Sequence, residues 1–395
     1  MQAFSNIRVL DFTHVYAGPF ATFQLAVMGA DVIKIEPPDR PDQMRGEGVV
    51  PELNQQGLGT TYVFNNQGKR AITLDLAQRE GVEVAQRLIA GADVLVENYT
   101  HGLGQFNLGP AQALEINPRL IYCDMSGYGH AGRFGGRPAY DPVIQASSGM
   151  MSLNGRPDQA FIRVGPPLVD YGTGAQAAFA IAAALYQREH SGVGQLIEVN
   201  MQDAALVMMS PLVANAIHAG KTEMRSGNGS ASRPGYGVYP CRDGDLMIGA
   251  FTLTHHRRLF EVLELGQWID IPEHCDPQWI AEHGEQICAA LQSCLAGRSA
   301  HDWELCLNAA DVPAARVRDL HDVLANEQPA RAEHSRIRRI AGSEIGAPIA
   351  AFRFAQHGPQ LNSRCAQHGE DTDEVLADLG YDAAEITRLR QLGAI

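Results

Sequence analysis

The chain has 395 residues, 45% of them hydrophobic and 19% charged, with a formal net charge of -14. Such a length and composition belong to a globular protein with room for two domains. The acidic balance argues against a nucleic-acid partner, whose phosphates call for a basic surface; a small phosphorylated ligand needs only a few local donors. The opening residues lack a basic segment followed by an apolar core, so no export signal is expected. The longest apolar run, around Ala177–Leu185, falls short of the roughly 20 residues that span a membrane. Seven cysteines are scattered without a CxxC pair, which suits reduced thiols in a cytoplasm. His255–His256 and His274–Cys275 have no second half-site at ligand spacing, so no metal is expected.

In chain order, Ile7–Phe12 is an apolar run that reads as a strand, Thr13–Pro19 as a turn, and Phe20–Gly29 as a helix with Pro19 in its first turn and Gly29 as its terminator. Asp31–Glu36 follows as the next strand, completing a parallel βαβ unit. The pattern recurs: an amphipathic helix at Glu80–Ala92, strands at Asp93–Asn98, Arg119–Gly127 and Gly194–Met201, and a helix from Gln202. Residues 1–215 therefore predict an α/β large domain with an open, Rossmann-like parallel sheet. Its first turn reads THVYAGPFA and lacks the GxGxxG of dinucleotide binding, so neither NAD nor FAD is expected. Beyond the small-residue loop Arg225–Gly237, a β-like stretch at Gly237–Phe251 and helices at His255–Leu265 and Gly284–Gly297 predict a smaller α+β domain over residues 226–325. Residues 330–395 end in a helix, a glycine break and a second helix, and are expected to return to the large domain or to cross to a partner.

One stretch joins this frame to chemistry. VGPPLVDYGTGAQAA, from Val164, sets Asp170 between a proline pair and what reads as a glycine turn, just before an alanine-rich helix. A carboxylate is ionised at neutral pH, with a reference pKa of about 4, and can attack a thioester carbonyl. Gly172 and Gly174 would leave space for a bulky thioester, and the helix amino terminus would favour negative charge. Read locally, a capping or turn residue is the plainer account of Asp170.

Seven blocks, in order, resemble the family III CoA-transferases, which include formyl-CoA transferase, carnitine CoA-transferase and α-methylacyl-CoA racemase. They are VLDFTHVYAGPFATFQLAVMGADVIKIEPP, NNQGKRAITLDL, ADVLVENY, INPRLIYCDMSGYG, LVDYGTGAQAA, DVPAARVRDLHDVLANEQ and the ending TDEVLADLGYDAAEITRLRQLGAI. The resemblance implies an interlocked homodimer with coenzyme A bound at the large domain, acyl-CoA and a small carboxylic acid as substrates, and no permanently bound cofactor. Asp170 matches the family's covalent nucleophile. His14, Val15, Tyr16 and Ala17 match the turn along the pantetheine and reacting thioester, with Tyr16 where the formyl- and oxalyl-specific member has glutamine. Leu74–Ala77 and Asn98, Tyr99 and Thr100 match stretches that meet the nucleotide mainly through the backbone; ENYTHG replaces the commoner ENFRPG. Arg45–Gly46, Lys69 and Arg70 are candidate basic points for the phosphates.

Tyr140, in RPAYDPVIQ, stands where the family's racemases carry a histidine, and with a reference pKa of about 10 it replaces that histidine poorly. The Arg225–Gly237 loop corresponds to a lid that would keep water from an aspartyl anhydride. Arg233, with Arg163, could pair with a second carboxylate on the acceptor. The expected activity is CoA transfer from a donor such as succinyl-CoA to a small acid such as itaconate or mesaconate through an aspartyl-CoA thioester. The alternatives are an α-methylacyl-CoA racemase and a catalytically silent acyl-CoA-binding dimer.

Overall fold

A computed structural model describes the chain apart from residues 223–224, 230–232, 269–276, 327–336, 341–342, 347 and 362–363. Six strands form one all-parallel sheet: β1 (Arg8–Phe12), β2 (Asp31–Glu36), β3 (Arg70–Thr73), β4 (Val94–Glu97), β5 (Ile121–Ser126) and β6 (Gln195–Asn200). Their order is β3-β2-β1-β4-β5-β6, so the winding reverses between β1 and β4. The inner strands are apolar on both faces because helices cover both. Val9, Val32, Val94 and Val96 pack beneath α1 (Ala17–Val27) and a later long helix. Leu10, Phe12, Ile33 and Leu95 pack beneath α2 (Arg79–Ala90) on the other face.

The carboxyl-terminal helices Thr372–Asp378 and Ala383–Gln391 join that second face through Val375, Leu376, Ile386 and Leu389. They also close the free edge of β3. The Ala71 N–H donates to the Asp371 carboxylate at 2.8 Å, and the Thr73 N–H to Thr372 Oγ at 3.0 Å, which removes an exposed sheet edge.

Two compact units are present. The first comprises Met1–Met150, Arg163–Lys221 and Arg331–Ile395; the second comprises Met151–Ile162 and Thr222–Ala330. Residues 151–162, read above as part of the large domain, thus group with the second unit, where the Gly227 N–H donates to Gly155 O and Arg225 to Gln159 O, both at 3.0 Å. That unit holds an antiparallel sheet of β7 (Tyr236–Pro240), β8 (Asp245–Gly249) and β9 (Ala314–Arg316). Leu246, Ile248, Leu259, Phe260, Leu291 and Leu307 form its core. Of the metal-inviting pairs, His256 bonds the Thr252 and Pro234 carbonyls, while His274 and Cys275 lie outside the described residues.

Two further readings change. The proline pair is followed by no glycine turn: α3 (Asp141–Ser147) precedes α4 (Leu168–Ser191), and α4 runs unbroken through Gly172 and Gly174. The glycines are there for packing. A Cβ on Gly174 would sit 2.5 Å from the Ala17 carbonyl oxygen and 2.9 Å from the Phe20 ring, so its absence lets α1 cross α4 at close range. A Cβ on Gly172 would meet the end of the Met208 side chain at 2.5 Å. At 24 residues, α4 is also long and apolar enough to cross a membrane by length and composition, yet Ala177, Ile181, Ala184 and Leu185 are core positions against α1 and the sheet.

The glycines make a test of this packing. Gly174→Ala sets a methyl against rigid backbone and should lower unfolding stability by about 1–3 kcal/mol. Gly172→Ala meets only a flexible methionine and gains helix propensity, so it should be neutral or stabilising. Denaturant unfolding checks both, and equal losses would contradict the close-crossing account.

Candidate active site

In an open parallel sheet the crevice lies at the carboxyl ends of the strands where the winding reverses. Here that point lies between β1 and β4. The turn after β1 carries His14–Ala17, and the turn after β4 carries Asn98–Thr100. The Asn98 side chain clamps the two turns together: its Oδ1 accepts from the His14 N–H and its Nδ2 donates to the His14 carbonyl, each at 2.9 Å.

Val15 has φ +71°. A β-branched residue in the left-handed region is strained, by on the order of 1–3 kcal/mol. The Asp42 carboxylate holds it there, accepting the Val15 N–H at 3.3–3.4 Å. Lys34 in turn holds Asp42, at 3.2 Å, and donates to the Thr13 carbonyl at 2.7 Å.

The sequence assigned other cations to phosphate, and the structure assigns them to this support. Lys69 is buried and bonded to Asp11, Thr22 and Asn66 at 2.8–2.9 Å. Arg45 is buried and bonded to Glu36 and Tyr62 at 2.6 Å. Neither can reach a ligand without breaking a buried ion pair, which is strongly destabilising. Arg70 is bound to Asp31 at 2.6 Å and to Asp378 at 3.3 Å. Burial opposes ionisation of the acids, yet Lys69 and Lys34 bring Asp11 down to about 2, and Arg45 and Lys34 do the same for Glu36. Burial pushes Lys69 down to about 8.

Asp170 is the third residue of α4 and is 8% exposed. Pro167, at the cap position, offers no side-chain hydrogen bond. The cap comes instead from Asp141 at the start of α3, whose carboxylate accepts the Val169 N–H at 2.7 Å and the Asp170 N–H at 3.1 Å. A helix amino terminus ordinarily stabilises a carboxylate in its first turn. Here a second, buried carboxylate takes those donors. Burial, and then the Asp141 charge, push Asp170 up to about 7. Among the described residues no donor bonds the Asp170 carboxylate, and it opens onto a cavity of about 150 Å³.

That cavity brings together His14, Val15, Tyr16, Ala17, Asn98, Tyr99, Thr100, Tyr140 and Asp170 from segments spread over more than 150 residues of sequence. Burial, the largest influence, lowers the pKa of His14 and keeps it neutral at pH 7. Tyr16 faces Tyr171 across 6.1 Å. The cavity meets a second cleft of about 490 Å³ at His14, Tyr99 and Thr100; Pro37, Arg40, Gln43, His101 and Gln105 line its far part.

Leu74 lines neither space, since its side chain is in the core beyond β3. Arg163 is turned onto its own backbone, donating to the Gly165 carbonyl at 2.7 Å. Arg233 belongs to the second unit, its guanidinium over the Phe251 ring at 5.4 Å. Of the loop it sits in, residues 230–232 lie outside the described residues.

Sequence reasoning missed Asp141, Arg40 and His130. Asp141 directly follows Tyr140, but the helix it caps is α4 and not its own, so no local pattern pointed to it. His130 follows the carboxyl end of β5, the edge where ligands are expected, and lines the Asp170 cavity. Arg40 is a surface arginine in a Pro/Asp loop, with no local pattern to single it out.

Comparison with known proteins agrees with this geometry. Residues 4–372 match the model of CoA-transferase family III. The chain is 31% identical over 328 residues to a succinate–glutarate CoA-transferase of Agrobacterium fabrum, covering 82% of each. It is 34% identical over 270 residues to a succinyl-CoA:mesaconate CoA-transferase of Haloarcula hispanica, covering 67% of this chain and 68% of that one. A crystal structure of a CAIB/BAIF family protein from Brucella suis superposes with a TM-score of 0.82 at 27% identity, over 96% of this chain and 99% of that one. A buried carboxylate at the switch point of a parallel sheet, in a chain matched almost throughout, leads to one conclusion: this protein belongs to the family III CoA-transferases.

Proposed function

We propose that the enzyme moves CoA from a donor acyl-CoA, succinyl-CoA by preference, to a small dicarboxylic acid, with Asp170 as covalent nucleophile. The observation that carries this reading is a nearly buried carboxylate, unbonded among the described residues, at the mouth of a ligand-sized cavity. The dicarboxylate follows from relatives named for succinate, glutarate and mesaconate.

In the reaction, an Asp170 oxygen attacks the thioester carbonyl. The C–S bond breaks and the electron pair leaves with the CoA thiolate, giving a mixed anhydride. The thiolate attacks the aspartyl carbonyl and expels the donor carboxylate, leaving an aspartyl-CoA thioester. The acceptor carboxylate then attacks that thioester, breaking its C–S bond to expel the CoA thiolate and form a second anhydride; the thiolate attacks the acceptor carbonyl of that anhydride, and the Asp170 carboxylate leaves. No proton is consumed, so the site needs no general acid. It needs an ionised nucleophile and donors for the oxyanions. The first turn of α1, at Ala17 and Gly18, has N–H groups with no acceptor within the helix. His14, Tyr16 and Tyr140 form the wall around the acyl group. The pantetheine follows His14, Tyr99 and Thr100 into the larger cleft, where Arg40 and His101 are the donors for phosphate. Unpaired cysteines, six of them among the described residues, suit a reducing cytoplasm.

A second copy completes the enzyme. Phe179 and Tyr186 on α4, Leu196 on β6, and Val207 and Ile217 beyond it are exposed apolar side chains, more than a lone subunit ordinarily shows to water. The resemblance to interlocked family members makes a homodimer the occupant of this face. Light scattering should give the dimer mass down to low concentration; a stable, active monomer would overturn this.

Asp170→Ala should lose transferase turnover by orders of magnitude while CoA still binds, because the nucleophile goes and the binding surface stays. In the parent, attack requires the carboxylate, whose pKa is raised to about 7. The kcat/KM for acyl-CoA should therefore fall as pH drops through about 7. Near-parental turnover in the alanine variant, or a flat profile from pH 5 to 8, would sink the nucleophile assignment.

A further inference from the structure

The turn after β5 builds a second fixed group into the Asp170 cavity. Ser126 Oγ accepts the Gly129 N–H at 2.9 Å, and Gly129 takes φ +77°. His130 is thereby brought back over the strand end. Its Nε2 lies 2.7 Å from Asp124 Oδ2, and the Asp124 side chain is 9% exposed against 44% for His130. One ring nitrogen is therefore anchored on a nearly buried carboxylate. The other, Nδ1, has no partner among the described residues, and the ring lines the cavity.

The chemistry asks for such a group. When a dicarboxylate is the acceptor, the attacking carboxylate loses its charge on forming the anhydride. The second carboxylate stays ionised through every step and needs a permanent cationic or donor partner inside the cavity. The basic side chains of the cavity are His14, His130 and Arg137. His14 is held neutral by burial. Arg137 is exposed and rests on the Phe134 ring at 4.7 Å, with no carboxylate to fix it among the described residues. His130 alone of the three pairs with a carboxylate, which fixes its ring at the cavity. A partner already fixed costs less to order on binding than a free arginine does.

We infer that the His130–Asp124 pair is the subsite for the second carboxylate of the acceptor, making the enzyme selective for short dicarboxylates over monocarboxylates of equal length. This deepens the transferase reading and rests on it. His130→Gln can retain a hydrogen bond to Asp124 but removes the ring, and Asp124→Asn removes the carboxylate that fixes the imidazole. With saturating succinyl-CoA, glutarate and pentanoate are compared as acceptors, reading the CoA products by mass spectrometry.

The parent should favour glutarate by 10-fold or more. In both variants kcat/KM for glutarate should fall by about 10- to 100-fold, through KM, as expected for one charge-assisted hydrogen bond, while pentanoate changes less than about 2-fold. Equal losses for both acids would make the pair merely structural and overturn the inference. So would unchanged glutarate kinetics, or a parent that prefers pentanoate. A parent that transfers CoA to no acid at all would instead remove the transferase reading.

Discussion

The carboxylate of Asp141 governs what Asp170 can be. It occupies the amino-terminal N–H groups of α4 at Val169 and Asp170, and so fixes the first helical turn where the proline cap cannot. The same contact withholds from Asp170 the donors that would otherwise stabilise its charge. Asp170 is left close to a second acid, nearly buried and, among the described residues, without a cation bonded to it. Its pKa rises to about 7, and an anion held this far from its preferred solvation is a better nucleophile than a solvated surface aspartate. The cost is stability. A raised carboxylate pKa lowers the stability of the folded state as pH climbs from the ordinary carboxylate value of about 4 to about 7.

The opposite wall of the cavity depends on charges of both signs in balance. Lys34 and Asp42 hold the Val15 backbone in the left-handed region, and Asn98 locks the neighbouring His14 peptide to the turn after β4. Lys69 with Asp11, and Arg45 with Glu36, continue the ion pairs beneath. Strain of this kind persists only where the surroundings over-determine it. The result is a rigid turn that sets α1 against α4 through the gap at Gly174, so the two walls share one helix crossing.

Five of the six strands of the parallel sheet were legible because each is a short apolar run between turn residues, and Asp31–Glu36 falls on the predicted residues, whereas Arg70–Thr73 was not read as a strand. His14–Ala17, Asn98–Thr100, Tyr140 and Asp170, which meet at the cavity, also follow from their place in the chain and the family resemblance, whereas the turn carrying His130 does not. What sequence alone misread has a common cause. Glycine, lysine and arginine signal both local and tertiary roles, and only the fold separates them. Gly172 and Gly174 looked like a turn because their use, close approach of another helix, depends on a partner more than 150 residues earlier or some 35 later. Lys69 and Arg45 looked like surface cations because the acids that neutralise them, Asp11 and Glu36, lie on neighbouring strands. The charge on Asp141 looked incidental because its object is 28 residues away.

The central claim is that Asp170 becomes covalently acylated during turnover. The most direct test adds hydroxylamine while the enzyme processes succinyl-CoA, then analyses the peptide spanning Val164–Arg188 by mass spectrometry. The account predicts a hydroxamate at Asp170, formed only when acyl-CoA is present and in step with loss of activity. An unmodified Asp170 in an enzyme that hydroxylamine has inactivated, or a hydroxamate formed equally without acyl-CoA, would contradict it.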